Sequence, residues 1–220
     1  MKTVAYIPIR SGSKSIPDKN IKQLAGKPLA CWVIQAALDC KEIDEVFIGT
    51  DSSLYILEIT RVIKSSKLHF YIRNKSNCTD EASTEDAIEE FANKFEWDLM
   101  VLLQATSPLT SSKDISDAIY KYKQNKENND SLLSVVPCDR FIWTDGKSIN
   151  YNHMNRPRRQ DFITNSYFEN GAIYITPRKT WNTYKNRLGI APIPFVMDRS
   201  TEIEIDEPSY FKKVEKIFYE

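Results

Sequence analysis

The sequence predicts an α/β domain in three layers, with a doubly wound, parallel sheet between helices. Two observations predict it. Short apolar runs alternate with stretches of helical periodicity from Val4 to Val136. The densest positive charge in the chain falls directly after the first apolar run, where open α/β sheets bind ligands outside the carboxyl ends of their strands. At 220 residues, 41% hydrophobic and 27% charged, the chain is long enough to bury one sizeable core. Residues 1–220 read as a single domain.

Val4–Ile9 is the first expected strand, and Pro28–Cys40 the first helix. Pro28 suits a first helical turn, and Leu29, Trp32, Val33, Ala36 and Ala37 make one apolar face. The rhythm continues as strand Glu45–Thr50 and helix Leu54–Lys64, then strand Leu68–Ile72 and helix Thr84–Phe95. Ser83-Thr84-Glu85-Asp86 places hydroxyls and acids where the latter helix should start. Strand Leu99–Leu103, helix Lys113–Lys123 and strand Ser131–Val136 follow, with Lys121–Asp130 a solvated helix end and loop. After Pro137 the alternation stops. A polar, aromatic, arginine-bearing stretch at about 138–169, with an Asp145-Gly146 turn, reads as an insertion. Gly171–Thr176, Ile190–Val196 and Thr201–Ile205 are further expected strands, and Pro208–Phe218 is a closing helix.

Composition excludes several functions. Thirty basic residues balance thirty acidic ones, so the chain lacks the overall basic footprint of a nucleic-acid binder. No apolar run approaches the roughly 18–20 residues of a membrane span, and Met1-Lys2-Thr3 leads straight into a strand, which predicts a cytoplasmic protein. Cys31, Cys40, Cys78 and Cys138 have no CxxC spacing, and the two histidines are His69, inside a strand-like run, and His153, in a polar loop. Zinc binding, Cys/His nucleophiles and a serine triad therefore have little to build on, and reduced, structural thiols are expected.

The charged loop is the richest feature. Ile7–Leu29, IPIRSGSKSIPDKNIKQLAGKPL, sets five cations (Arg10, Lys14, Lys19, Lys22 and Lys27) against Asp18 alone. Gly12 allows close backbone approach, Ser11 and Ser13 offer hydroxyls and amides, and Arg10 and Lys14 add charge, a set able to surround a phosphate chain. It is neither GxxxxGK[ST] nor GxGxxG, because Gly12 stands alone in the turn.

Three other blocks carry chemistry. LLQATSPL (Leu102–Leu109) runs an apolar strand into Gln104, Thr106 and Ser107 at its rim, with Pro108 stopping it. RNKSNCTDEAST (Arg73–Thr84) joins an arginine after the third strand to a small-residue helix start. In TEIEID (Thr201–Asp206), period-two alternation puts Glu202, Glu204 and Asp206 on one face, either a solvated edge strand or a site for a hard cation such as Mg²⁺ carried by a nucleotide triphosphate.

Taken together, these blocks resemble those of the CMP-sugar synthetases, the cytidylyltransferases that activate sialic acids and other 2-keto sugar acids. The loop is similar to their IPARxGSKxIPxKNxxxxxGKPL, with Ile9 in place of a small residue. LLQATSPL is similar to LLQPTSPL, and the acidic run to DIDxxxD, with Glu204 replacing the first aspartate and Asp206 aligned with the second. The resemblance implies a Rossmann-like nucleotidyltransferase with a dimerisation insertion, a homodimer that takes CTP and a nonulosonic, sialic-type acid. It implies that Arg10, Lys14 and Lys19 act on the phosphates, with Gly12, Ser13 and Asn20 in the nucleotide loop. Arg73, Ala82 and Thr84 are implied for cytosine and ribose. Asp206, with Glu204, is implied to hold Mg²⁺. Arg159-Gln160-Asp161 and the run from Glu169 to Ile175 resemble the RQD and NGAIYI elements of sialic-acid-type members, implying Gln104, Arg159, Gln160, Asn170 and Tyr174 at the sugar, while Arg156 and Arg158 read as surface or subunit-contact charges. The alternatives are a CMP-Kdo-type enzyme, a sugar-1-phosphate nucleotidylyltransferase, whose GxGxR-type loop is missing, and a nucleotide-binding protein without catalysis.

Overall fold

The computed structural model describes residues 1–162 and 166–219. In chain order, β1 is Thr3–Pro8, a two-residue hairpin pairs β2 (Gln23–Leu24) with β3 (Lys27–Pro28), and α1 is Leu29–Asp39. Then come β4 (Glu45–Thr50), α2 (Ser53–Val62), β5 (Leu68–Ile72), α3 (Thr84–Lys94), β6 (Leu99–Leu103), α4 (Ser112–Asn125) and β7 (Ser131–Pro137). The chain finishes with hairpin β8 (Trp143–Thr144) and β9 (Lys147–Ser148), then β10 (Tyr167–Pro177), α5 (Arg178–Tyr184), β11 (Pro192–Val196) and α6 (Pro208–Tyr219).

Seven strands form one sheet in the order β11-β7-β10-β6-β1-β4-β5. β1 pairs in parallel with β4 and β6, β4 with β5 and β11 with β7, while β10 runs antiparallel between β6 and β7. From β1 the chain moves outward through β4 and β5, then returns to place β6 on the other side of β1. This reversal opens a crevice at the carboxyl ends of β1 and β6.

Alternation along β1 explains the layers. Ala5 and Ile7 pack with Ile34 of α1, Ile59 of α2 and Ile119 of α4 on one face. Val4 and Tyr6 pack with Ile88 and Phe91 of α3 and Trp181 of α5 on the other. Tyr6 stacks on Phe91 with centroids 4.4 Å apart, and its phenol lies 2.8 Å from that of Tyr71 and donates to the Ala87 carbonyl at 3.1 Å. Burial pushes both phenols well above the usual tyrosine range, so they stay neutral and tie β1, β5 and α3 together beneath the crevice. A smaller core joins Leu24, Leu29 and Ile16 to Phe211 and Val214 of α6.

α3 starts at Ser83, whose side chain accepts from the Asp86 amide while Asp86 bonds back to the Ser83 amide. Asp145 and Gly146 have φ of +46° and +75°, as a two-residue hairpin between β8 and β9 requires. Pro28 precedes α1 as its N-cap residue instead of sitting in its first turn. β10 begins at Tyr167, earlier than expected, because an irregularity between Glu169 and Tyr174 lets it bend past β7.

One expected strand is absent. Thr201–Ile205 is a 3-10 turn over Arg199–Glu202 followed by extended chain without a ladder. The Asp198 side chain accepts from the Ser200 amide and the Thr201 hydroxyl donates to the Asp198 carbonyl at 2.6 Å, so local side-chain bonds win over strand pairing. All four cysteines are buried and unpaired, and burial raises the Cys31 and Cys40 thiols to about 11, which keeps them unreactive. No helix among the described residues is long and apolar enough to cross a membrane.

Candidate active site

The crevice is lined by the phosphate-loop candidates Arg10, Ser13, Lys19 and Asn20, by Arg73, Asn77, Thr79 and Ala82–Thr84 after β5, and by Gln104–Thr106 after β6. Three segments distant in sequence thus meet at the carboxyl edge of β1, β5 and β6. Gly12 has φ of +73°, the left-handed turn for which glycine is suited. The loop is fastened at several points. Asp51, at the end of β4, accepts from both the amide and the hydroxyl of Ser11 at 2.7 Å, and Asn20 donates to the Arg10 carbonyl at 3.0 Å. Asp18 is left-handed (φ 49°) and accepts from the Tyr55 phenol at 3.2 Å. Ile16 drops into the α6 core. The basic side chains are therefore displayed from a loop whose backbone is held.

Arg10 and Lys14 meet a carboxylate that the sequence reading did not assign. Their side chains reach the two oxygens of Asp80 at 2.5 and 2.6 Å. Lys14, then Arg10, holds the Asp80 carboxyl below its usual range. Asp80 lies two residues before Ala82, so the phosphate loop and the segment after β5 are joined across the crevice.

Arg73 is buried to 5% exposure, yet it lines the crevice. It donates to the Asn77 carbonyl, while its Nε lacks a protein partner. Glu90 supports this corner by accepting from the Asn74 amide at 2.9 Å, from Asn77 Nδ2 at 3.1 Å and from Lys94 at 2.8 Å. The guanidinium lines the opening and is suited to a polar acceptor on a ligand there, while its Nε is enclosed.

A second cavity adjoins the first, lined by Arg140, Arg199, Glu202, Glu204, Asp206, Tyr210 and Lys213. Lys19 and Asp206 stand between the two, paired at 2.8 Å. The three acids of TEIEID line this cavity together without a strand, but their environments differ. Glu202 sits 3.8 Å from Arg199, Asp206 is largely exposed, and Glu204 turns inward until its carboxylate fills the space where a Cβ on Gly171 would stand. Burial, with help from Asp206, raises the Glu204 carboxyl; Lys19 opposes the rise. The Ile205 amide donates to the Thr106 carbonyl at 2.8 Å, which docks this segment on the β6 loop.

Four expected sugar contacts lie elsewhere in the isolated chain. Asn170 is buried among Ser134, which bonds its Oδ1 at 2.6 Å, and Thr201, whose hydroxyl accepts its amide at 3.0 Å, so it is an internal strut. Tyr174 is buried against Leu102 and Trp181, and its phenol donates to Glu169. Arg159 and Gln160 lie in an exposed turn of the insertion, where Arg159 pairs with Asp139 at 3.2 Å, and neither lines the crevice or the adjoining cavity. Gln104 does line the crevice. Residues 163–165 of the insertion fall outside the described residues. Asn77, Thr79, Asp80 and Asp51 were missed. The first three lay inside the quoted block RNKSNCTDEAST, whereas nothing local marks Asp51.

A cytidylyltransferase family model matches residues 4–219. The chain belongs to the cytidylyltransferase family. It is 37% identical to N-acylneuraminate cytidylyltransferase B of Danio rerio over 92% of this chain and 48% of that protein. It is 30% identical to post-translational flagellin modification protein B of Campylobacter coli, over 96% of this chain and 92% of that one. The chain thus spans about half the length of its N-acylneuraminate cytidylyltransferase relatives. Among solved structures, CMP:2-keto-3-deoxy-manno-octonic acid synthetase complexed with CTP shares the fold with a TM-score of 0.73 at 17% identity, covering 100% of this chain and 99% of that one.

Proposed function

We propose that this cytidylyltransferase-family domain transfers CMP from CTP to the anomeric hydroxyl of a nonulosonic, sialic-type acid, releasing pyrophosphate. One observation carries the reading: a basic loop suited to phosphates and a largely buried arginine, suited to a base, line a single crevice. Relatives named N-acylneuraminate cytidylyltransferase in fish and bacteria support the choice of substrates.

The anomeric hydroxyl gives up its proton to solvent as its oxygen attacks the α-phosphorus, the bond from that phosphorus to the α–β bridging oxygen breaks so that pyrophosphate leaves, and no covalent enzyme intermediate is required. Positioning and charge neutralisation dominate such transfers. Arg10, Lys14 and the Gly12–Ser13 backbone hold the β- and γ-phosphates, Asn20 keeps the loop in shape, and Lys19 steadies charge at the α-phosphate. Arg73 and Ala82–Thr84 face cytosine and ribose, and Gln104 faces the acceptor.

Among the described residues no three acids, cysteines or histidines converge as a metal cage. Exposed Asp206, with Glu204 beside it, instead suits Mg²⁺, which takes one or two carboxylates and fills its remaining positions with phosphate oxygens and water. Once bound there, the ion would neutralise phosphate charge.

The reading includes a homodimer. Arg159 and Gln160 line neither cavity of their own chain, and in a dimer they would be free to face an acceptor bound by the partner. Exposed Trp143, Ile149 and Met154 in the insertion supply apolar contact area for such pairing. Four buried, unpaired cysteines suit a cytoplasmic setting.

Pyrophosphate release from CTP, measured with a panel of acceptors, tests this. Release that depends on 2-keto sugar acids is the expected result. Release with sugar 1-phosphates alone would assign a different transfer, and nucleotide binding without release would make the domain a binding protein.

A further inference from the structure

We propose that Asp80 is an internal anion of the polyphosphate seat, competing with the nucleotide and with departing pyrophosphate for Arg10 and Lys14. The inference rests on the reading of the crevice as a CTP site. Its observation is independent of that reading: one carboxylate takes Arg10 on one oxygen at 2.5 Å and Lys14 on the other at 2.6 Å.

The contact is built to be exchangeable. Lys14 is 80% exposed and Arg10 35%, so both pairs face water at the crevice rim, where ion pairs are weak and screened. Asp80 offers one negative charge and two oxygens, whereas a di- or triphosphate offers several of each to the same donors. The polyphosphate therefore displaces Asp80, but its net affinity is reduced by the pairs it must break. When pyrophosphate leaves, the cations return to Asp80 and are not left bare, which lowers the cost of release.

The position of Asp80 supports this role. The Thr79 hydroxyl accepts from the Ala82 amide at 3.2 Å, closing a tight turn around Asp80. Ser83 then caps α3. The competing carboxylate is consequently fixed to the wall proposed to face the base. It does not hang on a free loop.

Ligands that do not reach Arg10 and Lys14 should not feel it. The test is calorimetric binding of pyrophosphate, CTP and cytidine to wild type, Asp80→Asn and Arg10→Ala. Two weak pairs correspond to about tenfold in affinity. Asp80→Asn is expected to bind pyrophosphate and CTP about tenfold more tightly, with cytidine unchanged and product inhibition by pyrophosphate stronger to match. Unchanged or weaker pyrophosphate binding in Asp80→Asn, while Arg10→Ala still weakens it, overturns the inference and leaves the CTP site standing. An equal change in cytidine affinity also overturns it, because the substitution then acts through the shape of the pocket. If wild type binds pyrophosphate and CTP no better than Arg10→Ala, the CTP reading and the inference fall together.

Discussion

Lys19 and Asp206, 187 positions apart in sequence, pair at 2.8 Å on the boundary between the basic crevice and the adjoining cavity of mixed charge. Lys19 belongs to the loop after β1, and Asp206 to the segment docked on the β6 loop through the Ile205 amide. The pair puts a cation and an accessible carboxylate where, on the proposed reading, the donor nucleotide and its acceptor would meet.

Asp206→Asn is accordingly expected to abolish nearly all magnesium-dependent turnover, because Asp206 is the exposed carboxylate of the set. Glu204→Asp should preserve or raise turnover, since shortening the side chain draws its carboxylate back from Gly171. Steady-state rates across a Mg²⁺ series check both. Substantial activity in Asp206→Asn at saturating Mg²⁺ would move the metal elsewhere, and an inactive Glu204→Asp would show that the longer side chain is needed.

Glu204 also predicts a pH dependence of stability. Its carboxyl is raised in the folded chain, chiefly by burial, so the folded state favours the protonated form. That contribution is present below the unfolded pKa and is lost as pH rises through the folded value. Glu204→Gln should therefore melt at a higher temperature than wild type near pH 7.5, with the gain shrinking toward pH 4. Parallel melting curves at the two pH values decide it; a constant difference would contradict the assignment.

Arg10→Ala or Lys14→Ala should lower turnover by at least about 100-fold, as expected when charge stabilisation of a transition state is removed, while the melting temperature stays close to wild type. Both side chains lie at the crevice rim, so little packing is lost. Near-normal rates in either variant would return that residue to a surface role.

CTP should be preferred to UTP, because cytosine and uracil differ in the acceptors and donors offered to Arg73 and the Ala82–Thr84 segment. Competing the two nucleotides at subsaturating concentration gives the ratio of kcat/KM. Equal use would remove base recognition from this corner.

Much of this was legible in the sequence. β4, β5 and β6 begin and end where their apolar runs do; β6, inside the sheet and buried along its whole length, reads as a continuous hydrophobic stretch, whereas edge strand β5 carries the exposed Ile72. The Ser83 cap and the Asp145-Gly146 turn were likewise local signals. TEIEID misled because its alternation mimics a strand, whereas Asp198 and Thr201 bond their neighbours and Ile205 is buried toward α6. Asn170 and Tyr174 were expected at the sugar, but their hydrogen bonds run to Ser134, Thr201 and Glu169 inside the domain. Asp80 was invisible as a partner of Arg10 because the two are 70 positions apart and meet only when β1 and β5 flank β4.

The central claim is that the crevice activates a 2-keto sugar acid by joining it to CMP. Mass spectrometry and phosphorus NMR of a reaction containing CTP, Mg²⁺ and N-acetylneuraminate or a related nonulosonic acid test it most directly. The predicted result is a CMP-linked sugar acid, with one phosphodiester phosphorus at the anomeric oxygen and one pyrophosphate per product. CTP that binds but is never joined to any 2-keto sugar acid would contradict it.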